Sequence, residues 1–280
     1  MKLCDLHTHS VFSDGTYTPT QLVEMAEKAA LSAIVLSDHN TVDGLPEFLS
    51  AAQGRKVDAI PGAEFSVDYN GTELHLLALF IREQYFAPIT ALMDDFQKRK
   101  AQSNFELIQA LREAGYDISF DEIRASTPNG KFNRAHIGAE LTKKGYTGSI
   151  KEAFSTLLSP KHGYYKEPKR PTFWEMLAYI QSIGAVPVLA HPFLNLQEAA
   201  LLEFLPKAAE AGLVAMECYY PSYDETTTKN ALELAARLHL LPSGGSDFHG
   251  GNKPDIALGI GKGNLQIPYD WAMALKERAE

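Results

Sequence analysis

The chain has 280 residues but few cysteines, and this limits how the fold can be held together. Cys4 and Cys218 are its two cysteines, which is too few for a disulfide framework. Both lie in apolar stretches, the usual setting of buried free thiols. We therefore predict a reducing compartment, most simply the cytoplasm, and a fold that depends on its core and not on cross-links.

Long hydrophobic runs are also missing from the sequence. No run approaches the roughly 18 apolar residues that a membrane-spanning helix needs. The opening residues, MKLCDLHTHS, do not resemble a signal peptide, because their apolar segment is short and contains Asp5 and two histidines. The sequence thus predicts a protein that is not attached to a membrane.

An excess of basic residues is the third missing feature. The 26 Lys and Arg residues are outnumbered by 35 Asp and Glu residues, which gives a formal net charge of −9. This balance argues against a protein that coats duplex DNA by neutralising its phosphates. It still leaves room for a local basic pocket that binds a phosphorylated substrate.

Short apolar runs alternate with amphipathic stretches along most of the chain. Thr18 with Gln21, and Thr172 with Glu175, have the spacing of capping boxes and predict helix starts. We predict strands at residues 2–7, 33–39, 57–67, 73–80, 185–191, 213–220 and 241–249. Seven strands with helices between them indicate an α/β barrel and not an open sheet.

One long stretch, residues 86–170, breaks this alternation because it contains no convincing strand pattern. Its amphipathic spacing predicts helices at about 88–114, 120–125, 133–144 and 149–158. We therefore predict a barrel domain made of residues 1–85 and 171–280. An all-helical insertion (cap) domain of residues 86–170 is predicted to interrupt it.

Metal-ligand residue types cluster at the predicted strand ends. Six of the nine histidines lie there, namely His7, His9, His39, His75, His191 and His249. Four carboxylates accompany them, namely Asp14, Asp38, Glu64 and Asp247. The carboxyl ends of parallel strands meet at one face of a barrel, so these side chains are expected to share one cavity.

Imidazole and carboxylate ligands together suit Zn, Mn or Fe, and the lack of cysteine among them argues against a structural zinc site. The set is larger than one cation can hold, so the sequence predicts two or three divalent metal ions. Glu64, in the segment PGAE, is the candidate for a carboxylate that bridges two of them.

The motifs DLHTHS with SDG, SDHN, GAE, the histidine of ELHLL, AHP and GSDFH occur in this order. As a set they resemble the PHP (polymerase and histidinol phosphatase) family of metal-dependent phosphoesterases, over residues 1–80 and 185–265. The resemblance implies a distorted (β/α)₇ barrel, with manganese favoured as the metal. It also implies nine ligands, namely His7, His9, Asp14, His39, Glu64, His75, His191, Asp247 and His249.

The resemblance further implies how the ligands are divided. One metal would be held by His7, His9, Glu64 and Asp247. A second would be held by Glu64, His75 and His191, and a third by Asp14, His39 and His249. Asp38 is expected to lie behind them and to orient a ligand imidazole.

The segments FNRAHIGAEL and HGYYKEPKR resemble the helical insertion of PHP proteins similar to nucleoside 3′,5′-bisphosphate phosphatases, some of which trim RNA from the 5′ end. This implies removal of the 3′-phosphate of such bisphosphates by a metal-bridging hydroxide, and also trimming of short single-stranded RNA. Phosphate contacts are expected from Arg134, Lys161 and Lys166. Tyr164 or Tyr165 is expected to stack on a base, and His136 to contact the substrate.

Three other readings remain open. Histidinol-phosphate phosphatase belongs to the same superfamily, although the long insertion argues against it. A binuclear-metal amidohydrolase also begins with His-x-His, but it usually bridges its metals with a modified lysine at a strand end, where this sequence has Glu64. A non-enzymatic module that binds nucleic acid or a polymerase is disfavoured by the complete ligand set. Nothing in the sequence indicates an oligomeric state.

Overall fold

The computed structural model describes residues 2–125, 127 and 133–279. Its strands form one seven-stranded sheet in which neighbours in sequence are neighbours in space. In chain order they are β1 (Cys4–Asp5), β2 (Ala33–Leu36), β3 (Asp58–Tyr69), β4 (Thr72–Leu79), β5 (Val186–Leu189), β6 (Ala215–Tyr219) and β7 (Leu241–Gly244). The predicted strands are thus confirmed, although all of them except β3 and β4 are shorter than expected.

The sheet nearly closes on itself where the first strand meets the last. The Leu6 N–H donates to the Gly244 carbonyl at 3.3 Å, and the Asp247 N–H donates to the His7 carbonyl at 2.9 Å. A Cβ at Gly245 would lie 2.2 Å from the Cβ of His7, so only glycine permits this approach. We refer to this junction as the seam, and it confirms the α/β barrel.

The strand β4 runs against its neighbours, and this departs from the parallel barrel that we expected. It is antiparallel to both β3 and β5, whereas the other paired strands are parallel. Asn70 and Gly71 connect β3 to β4 with φ angles of 51° and 80°. Two consecutive residues with positive φ make the two-residue turn that suits a hairpin. No helix separates these strands.

The α-helices follow the chain as α1 (Pro19–Lys28), α2 (Leu45–Ala51), α3 (Phe86–Glu113), α4 (Phe120–Ala125), α5 (Arg134–Lys143), α6 (Ile150–Ser155), α7 (Phe173–Ser182), α8 (Pro192–Asn195), α9 (Glu198–Glu210), α10 (Glu225–Arg237) and α11 (Tyr269–Lys276). Both predicted capping boxes are confirmed, at Thr18 for α1 and at Thr172 for α7. Within the described residues, no helix is long and apolar enough to cross a membrane.

Two layers of apolar side chains pack on the two faces of the sheet. Alternate residues of β2 show this, because Ile34 belongs to a cluster with helices α1, α2, α7, α9 and α10, while Val35 belongs to a second cluster. Phe48, Phe173 and Phe204 are fully buried in the first cluster. The packing of these two layers stabilises the sheet, and the sheet in turn positions the side chains that follow the strand ends.

The helices α3 to α6 lie between β4 and β5, as predicted for the insertion. They have an apolar cluster of their own that includes Leu107 and Ile137. The start of α3 belongs to the barrel instead, because Ile89 and Met93 pack in the barrel cluster. The domain bounds at residues 86–170 stay a prediction, and Phe132 of the segment FNRAHIGAEL lies outside the described residues.

Candidate metal centre

The two histidines after β1 point to the same side of the chain. His7 and His9 are fully buried, and their Nε2 atoms lie 3.0 Å apart. Thr8 turns the other way and donates from its hydroxyl to the Val35 carbonyl at 2.5 Å. This alternation is the two-residue period of extended chain, and it brings both imidazoles to the barrel mouth.

Glu64 lies at the centre of the cluster and is fully buried. Its Oε2 lies 3.3 Å from the Nε2 atoms of both His7 and His9. The same oxygen lies 3.0 Å from His39 Nδ1. One carboxylate oxygen therefore faces three imidazole nitrogens, which is the arrangement expected around a cation.

The other oxygen of Glu64 faces two further imidazoles. Oε1 lies 2.8 Å from His75 Nδ1 and 3.1 Å from His191 Nε2. We expected Glu64 and His75 at strand ends, but Glu64 lies inside β3 and His75 lies in the first half of β4. His75 still reaches the mouth because β4 is reversed, so its beginning and not its end lies there.

A second group forms around Asp14, in the loop that follows His9. Asp14 Oδ1 lies 3.1 Å from His249 Nε2 and 3.8 Å from His9 Nδ1. Its Oδ2 lies 3.8 Å from His39 Nε2. The structure thus brings together the three residues expected at a third metal, and it adds His9 to them.

Asp247 lies beside the first group and divides its two oxygens between different partners. Oδ1 lies 3.2 Å from His9 Nε2 and 3.6 Å from His7 Nε2. Oδ2 accepts hydrogen bonds from the Tyr220 hydroxyl at 2.7 Å and from Lys253 Nζ at 2.6 Å. Two donors thus fix one oxygen and leave the other directed at the imidazoles.

The donor atoms of this centre fit divalent cations. Among the described residues, His9 Nδ1, Asp14 Oδ1, His39 Nδ1 and Glu64 Oε2 are buried without a hydrogen-bond partner. Such atoms are costly in a folded protein, and cations would provide the partners that they lack. Three groups have donor atoms within 4.8 Å of one another, namely His7, His9 and Glu64; His39, Glu64 and His75; and His9, Asp14, His39 and His249.

Charge and burial keep two of the predicted ligands, Glu64 and His9, in the form that binds metal. Burial alone would raise the pKa of Glu64, but imidazoles led by His39 and His75 outweigh it and hold that pKa well below its usual range. Burial, together with His249 and His39, lowers the pKa of His9 to about 4. At neutral pH the carboxylate is therefore ionised and the imidazole of His9 is neutral. Burial lowers the pKa of His7 and His75, but neighbouring carboxylates outweigh it and raise the pKa of His7 well above its usual range and that of His75 to about 10, so these two imidazoles would release a proton when a cation binds.

Comparison with known families agrees with this geometry. The sequence model of the PHP domain matches residues 5–183, which include six of the nine predicted ligands. The chain belongs to the PHP domain family. A solved structure from Bifidobacterium adolescentis, whose description names a metal-dependent phosphoesterase, superposes on this PHP barrel with a TM-score of 0.87. The two chains are 26% identical, and the match covers 100% of this chain and 97% of the other.

Three curated relatives match the PHP chain along most of its length. A phosphoribosyl 1,2-cyclic phosphate 1,2-diphosphodiesterase of Eggerthella lenta is 28% identical, over 91% of this chain and 98% of its own. A 5′-3′ exoribonuclease of Haemophilus influenzae is 27% identical, over 89% and 90%. A 3′,5′-nucleoside bisphosphate phosphatase of Chromobacterium violaceum is 28% identical, over 88% and 86%.

Glu217 contacts two of the predicted ligands and was missed by the sequence analysis. It is fully buried at β6, and its Oε1 lies 2.9 Å from His7 Nδ1. Its Oε2 accepts the backbone N–H of His191 at 2.6 Å, and His191 has a left-handed φ of 28°. The available signal was an acidic residue within the apolar strand AMECY.

Asp38 has hydrogen-bond partners other than the imidazole that we expected. It was predicted to orient a ligand imidazole, but its carboxylate accepts hydrogen bonds from the Ser10 N–H, the Ser10 hydroxyl and the Ser13 hydroxyl. Because these serines begin the loop that carries Asp14, Asp38 holds that loop in place. Its effect on the PHP centre passes through backbone position and not through an imidazole.

A cavity of about 240 Å³ opens on the metal centre, beside Asp14, His39 and His75. Two of the predicted substrate contacts, Arg134 and Tyr165, lie in its wall. The Arg134 guanidinium stacks over the Tyr165 ring at 4.1 Å from its centroid, which fixes both side chains.

The other four predicted contacts are not part of this wall. The ring of His136 accepts the Asn133 N–H at 3.1 Å and so caps α5, while Tyr164 packs in the core of the insertion. Lys161 and Lys166 are exposed on the loop before α7. Two residues that sequence reasoning missed, Lys100 and Arg170, line the cavity instead.

Proposed function

We propose that this PHP hydrolase of phosphoester bonds removes the 3′-phosphate from nucleoside 3′,5′-bisphosphates. The proposal rests on one observation: the residues that could hold cations adjoin a cavity lined by Arg134 and Tyr165. The centre suits the phosphate that reacts, and the wall suits a second phosphate and a base. One relative, from Chromobacterium violaceum, is named a 3′,5′-nucleoside bisphosphate phosphatase.

The nine predicted ligands would hold two or three divalent cations, with Mn²⁺ favoured over Fe and Zn. Such cations, when bound, lower the pKa of water and neutralise charge on the phosphate oxygens. Glu64 faces imidazoles with both of its oxygens and so is the ligand placed to be shared. Asp14 and Asp247 lie on opposite sides of His9 and each present an oxygen to it.

Neither cysteine is suited to act as the nucleophile. Cys4 and Cys218 are fully buried, and burial raises the pKa of each thiol. Covalent catalysis by cysteine would need a thiolate, so neither cysteine competes with water as the attacking group. The two free thiols also support the cytoplasm as the compartment in which the protein works.

Two arginines form the basic side of the cavity and share one carboxylate. Glu73 Oε2 lies 2.7 Å from Arg170 and 3.5 Å from Arg134, and its Oε1 lies 3.5 Å from His75 Nε2. This connection holds the arginines at a fixed position relative to the metal centre. A planar guanidinium held in this way can bind a phosphate through two parallel hydrogen bonds.

A phosphate-release screen with Mn²⁺ tests the proposal against its alternatives. It would compare nucleoside 3′,5′-bisphosphates, mononucleotides, 5′-phosphorylated RNA and histidinol phosphate, with ammonia release assayed in parallel for an amidohydrolase. We expect the highest kcat/KM for bisphosphates. Preference for histidinol phosphate, release of ammonia, or metal-loaded protein without any phosphate release would each refute the proposal.

Arg134 offers a sharper test of the same function. Arg134→Ala should lower kcat/KM for a bisphosphate more than for a 3′-monophosphate, because only the bisphosphate has a second phosphate to bind. Lys143, an exposed residue of α5 that pairs with Glu140, provides a control variant, Lys143→Ala. Equal losses of activity on the two substrates would count against a role in binding the second phosphate.

Trimming of short RNA from its 5′ end is the second candidate, and a neighbouring cavity favours it. This cavity has a volume of about 400 Å³, reaches His39, and is lined by Phe12, Met93 and Arg124. It offers space for a nucleotide beyond the one at the metal centre. Release of mononucleotides from 5′-phosphorylated oligonucleotides, followed on gels for several lengths, would establish this activity, and intact oligonucleotides would exclude it.

A further inference from the structure

Lys100 occupies an unusual place between the two cavities. It lies on α3 and lines both the cavity of about 240 Å³ and the cavity of about 400 Å³. His39 and Asn133 are the other residues that line both. A substrate that occupies both cavities would therefore extend past this lysine.

The charges around Lys100 are otherwise matched. Arg170 and Arg134 share Glu73, and Arg170 also lies 3.3 Å from Glu167, so two cations face two carboxylates. For Lys100, no carboxylate of a described residue lies within the 4.0 Å of an ion pair. Among the described residues, the wall of the smaller cavity has the cations Lys100, Arg134 and Arg170 and the carboxylates Asp14 and Glu73, so Lys100 gives it an excess of one positive charge.

A half-buried ammonium without a close ion pair is unfavourable, because it has lost water and only the more distant charges of Asp14 and Glu73 compensate for the loss. Burial accordingly lowers the pKa of Lys100, although Asp14 and Glu73 draw it the other way. An anion bound in the cavity would remove this cost. The position of Lys100 thus favours an anionic group that belongs to the bound substrate.

We propose that Lys100 binds the non-reacting phosphate of the substrate and so determines the preference for bisphosphates over monophosphates. The proposal rests on the proposed function. The reacting phosphate belongs at the imidazole and carboxylate centre, whereas Lys100 belongs to a helix outside the barrel. Arg134, which the proposed function also places at this phosphate, shares Glu73 with Arg170, so Lys100 supplies the positive charge that Glu73 does not offset.

The first test compares Lys100→Met with Lys100→Arg in Mn²⁺-loaded protein. For Lys100→Met, KM for adenosine 3′,5′-bisphosphate should rise roughly 10- to 100-fold, the range expected for one lost charged hydrogen bond. KM for adenosine 3′-monophosphate should not change. Lys100→Arg should restore most of the affinity, and the control variant Lys143→Met should match the wild type. An unchanged metal content, measured by mass spectrometry, shows that the centre is intact.

Equal changes on both substrates, or no change on either, would overturn the role of Lys100. A second measurement distinguishes failure of the Lys100 proposal from failure of the proposed function. Inhibition of p-nitrophenyl phosphate hydrolysis by 5′-AMP should weaken in Lys100→Met, while inhibition by adenosine should not. If wild-type protein shows no preference for bisphosphates but this difference appears, the proposed function fails and Lys100 remains a phosphate-binding residue. Unchanged inhibition by 5′-AMP refutes the role of Lys100 in either case.

Discussion

Replacement of Glu217 should damage metal binding although this residue is not a predicted ligand. Its carboxylate accepts from His7 Nδ1 at 2.9 Å and from the His191 N–H at 2.6 Å. When the proton of the neutral His7 ring is on Nδ1, Nε2 has a free lone pair that can bind a metal. Nε2 is also the atom that faces Glu64 and His9. Glu217 therefore sets the tautomer of one ligand and the backbone position of another.

The variant Glu217→Gln separates these effects because an amide has one donor and one acceptor end. If the amide oxygen of the new side chain still accepts the hydrogen bond from the His191 N–H, the amide NH₂ group faces His7 Nδ1. Nδ1 must then accept, so the imidazole proton moves to Nε2, where it blocks metal binding. We expect metal affinity to fall about 10- to 100-fold, the usual effect of losing such a partner. Glu217→Ala loses both hydrogen bonds, each worth about 1.5–3 kcal/mol, and should also destabilise the fold.

Metal affinity would be measured by chelator competition, and stability by urea unfolding of metal-free protein. The His7 tautomer would be read from ¹⁵N chemical shifts of the imidazole. Glu233→Gln is the matched control, because Glu233 is an exposed residue of α10 whose partner is Lys229. Wild-type metal affinity in a folded Glu217→Gln protein would refute the reasoning.

Three further predictions follow from the centre and the core. His9→Ala should lose bound metal and activity together because His9 belongs to two ligand groups, whereas Asp14→Ala, in one group, should lose activity and only part of the metal; equal metal loss in both variants would contradict this. Treatment with EDTA should lower Tm, and Mn²⁺ should restore it, because buried donors lose their partners; an unchanged Tm would argue against bound cations. Phe204→Ala should reduce the free energy of unfolding by about 3–5 kcal/mol, since the ring is fully buried against Phe173. The metal content of this variant should not change. A loss of metal in the folded variant would show that the core and the centre are coupled.

The metal centre could be predicted from sequence because its residue types are rare and its positions follow the strands. His7, His9 and Asp247 come directly after short strands, and a barrel brings such positions to one mouth. The reversed strand β4 was missed although its signal was present, since Asn70-Gly71 between two apolar runs is typical of a hairpin. The position of Glu64 inside β3 follows from that hairpin, which extends the strand beyond the mouth.

The substrate side was predicted less well because the path of a loop depends on tertiary packing. Lys161 and Lys166 belong to the basic segment that suggested phosphate contacts, yet both are exposed and neither lines the cavity. Lys100 lies in the middle of a long helix, where a charged residue usually indicates a solvated face. Only the packing of α3 against the barrel shows that this lysine faces the centre.

The seam has a consequence for the order in which the protein is assembled. His7 contacts Asp247, and Asp5 accepts from both the backbone and the hydroxyl of Ser246, across separations of about 240 residues. Contacts between such distant parts of a chain form late in folding, because most of the intervening chain must be ordered first. The ligand group of His9, Asp14, His39 and His249 is therefore completed only when the last strand docks against the first, whereas the groups around Glu64 draw on residues 7–75 alone.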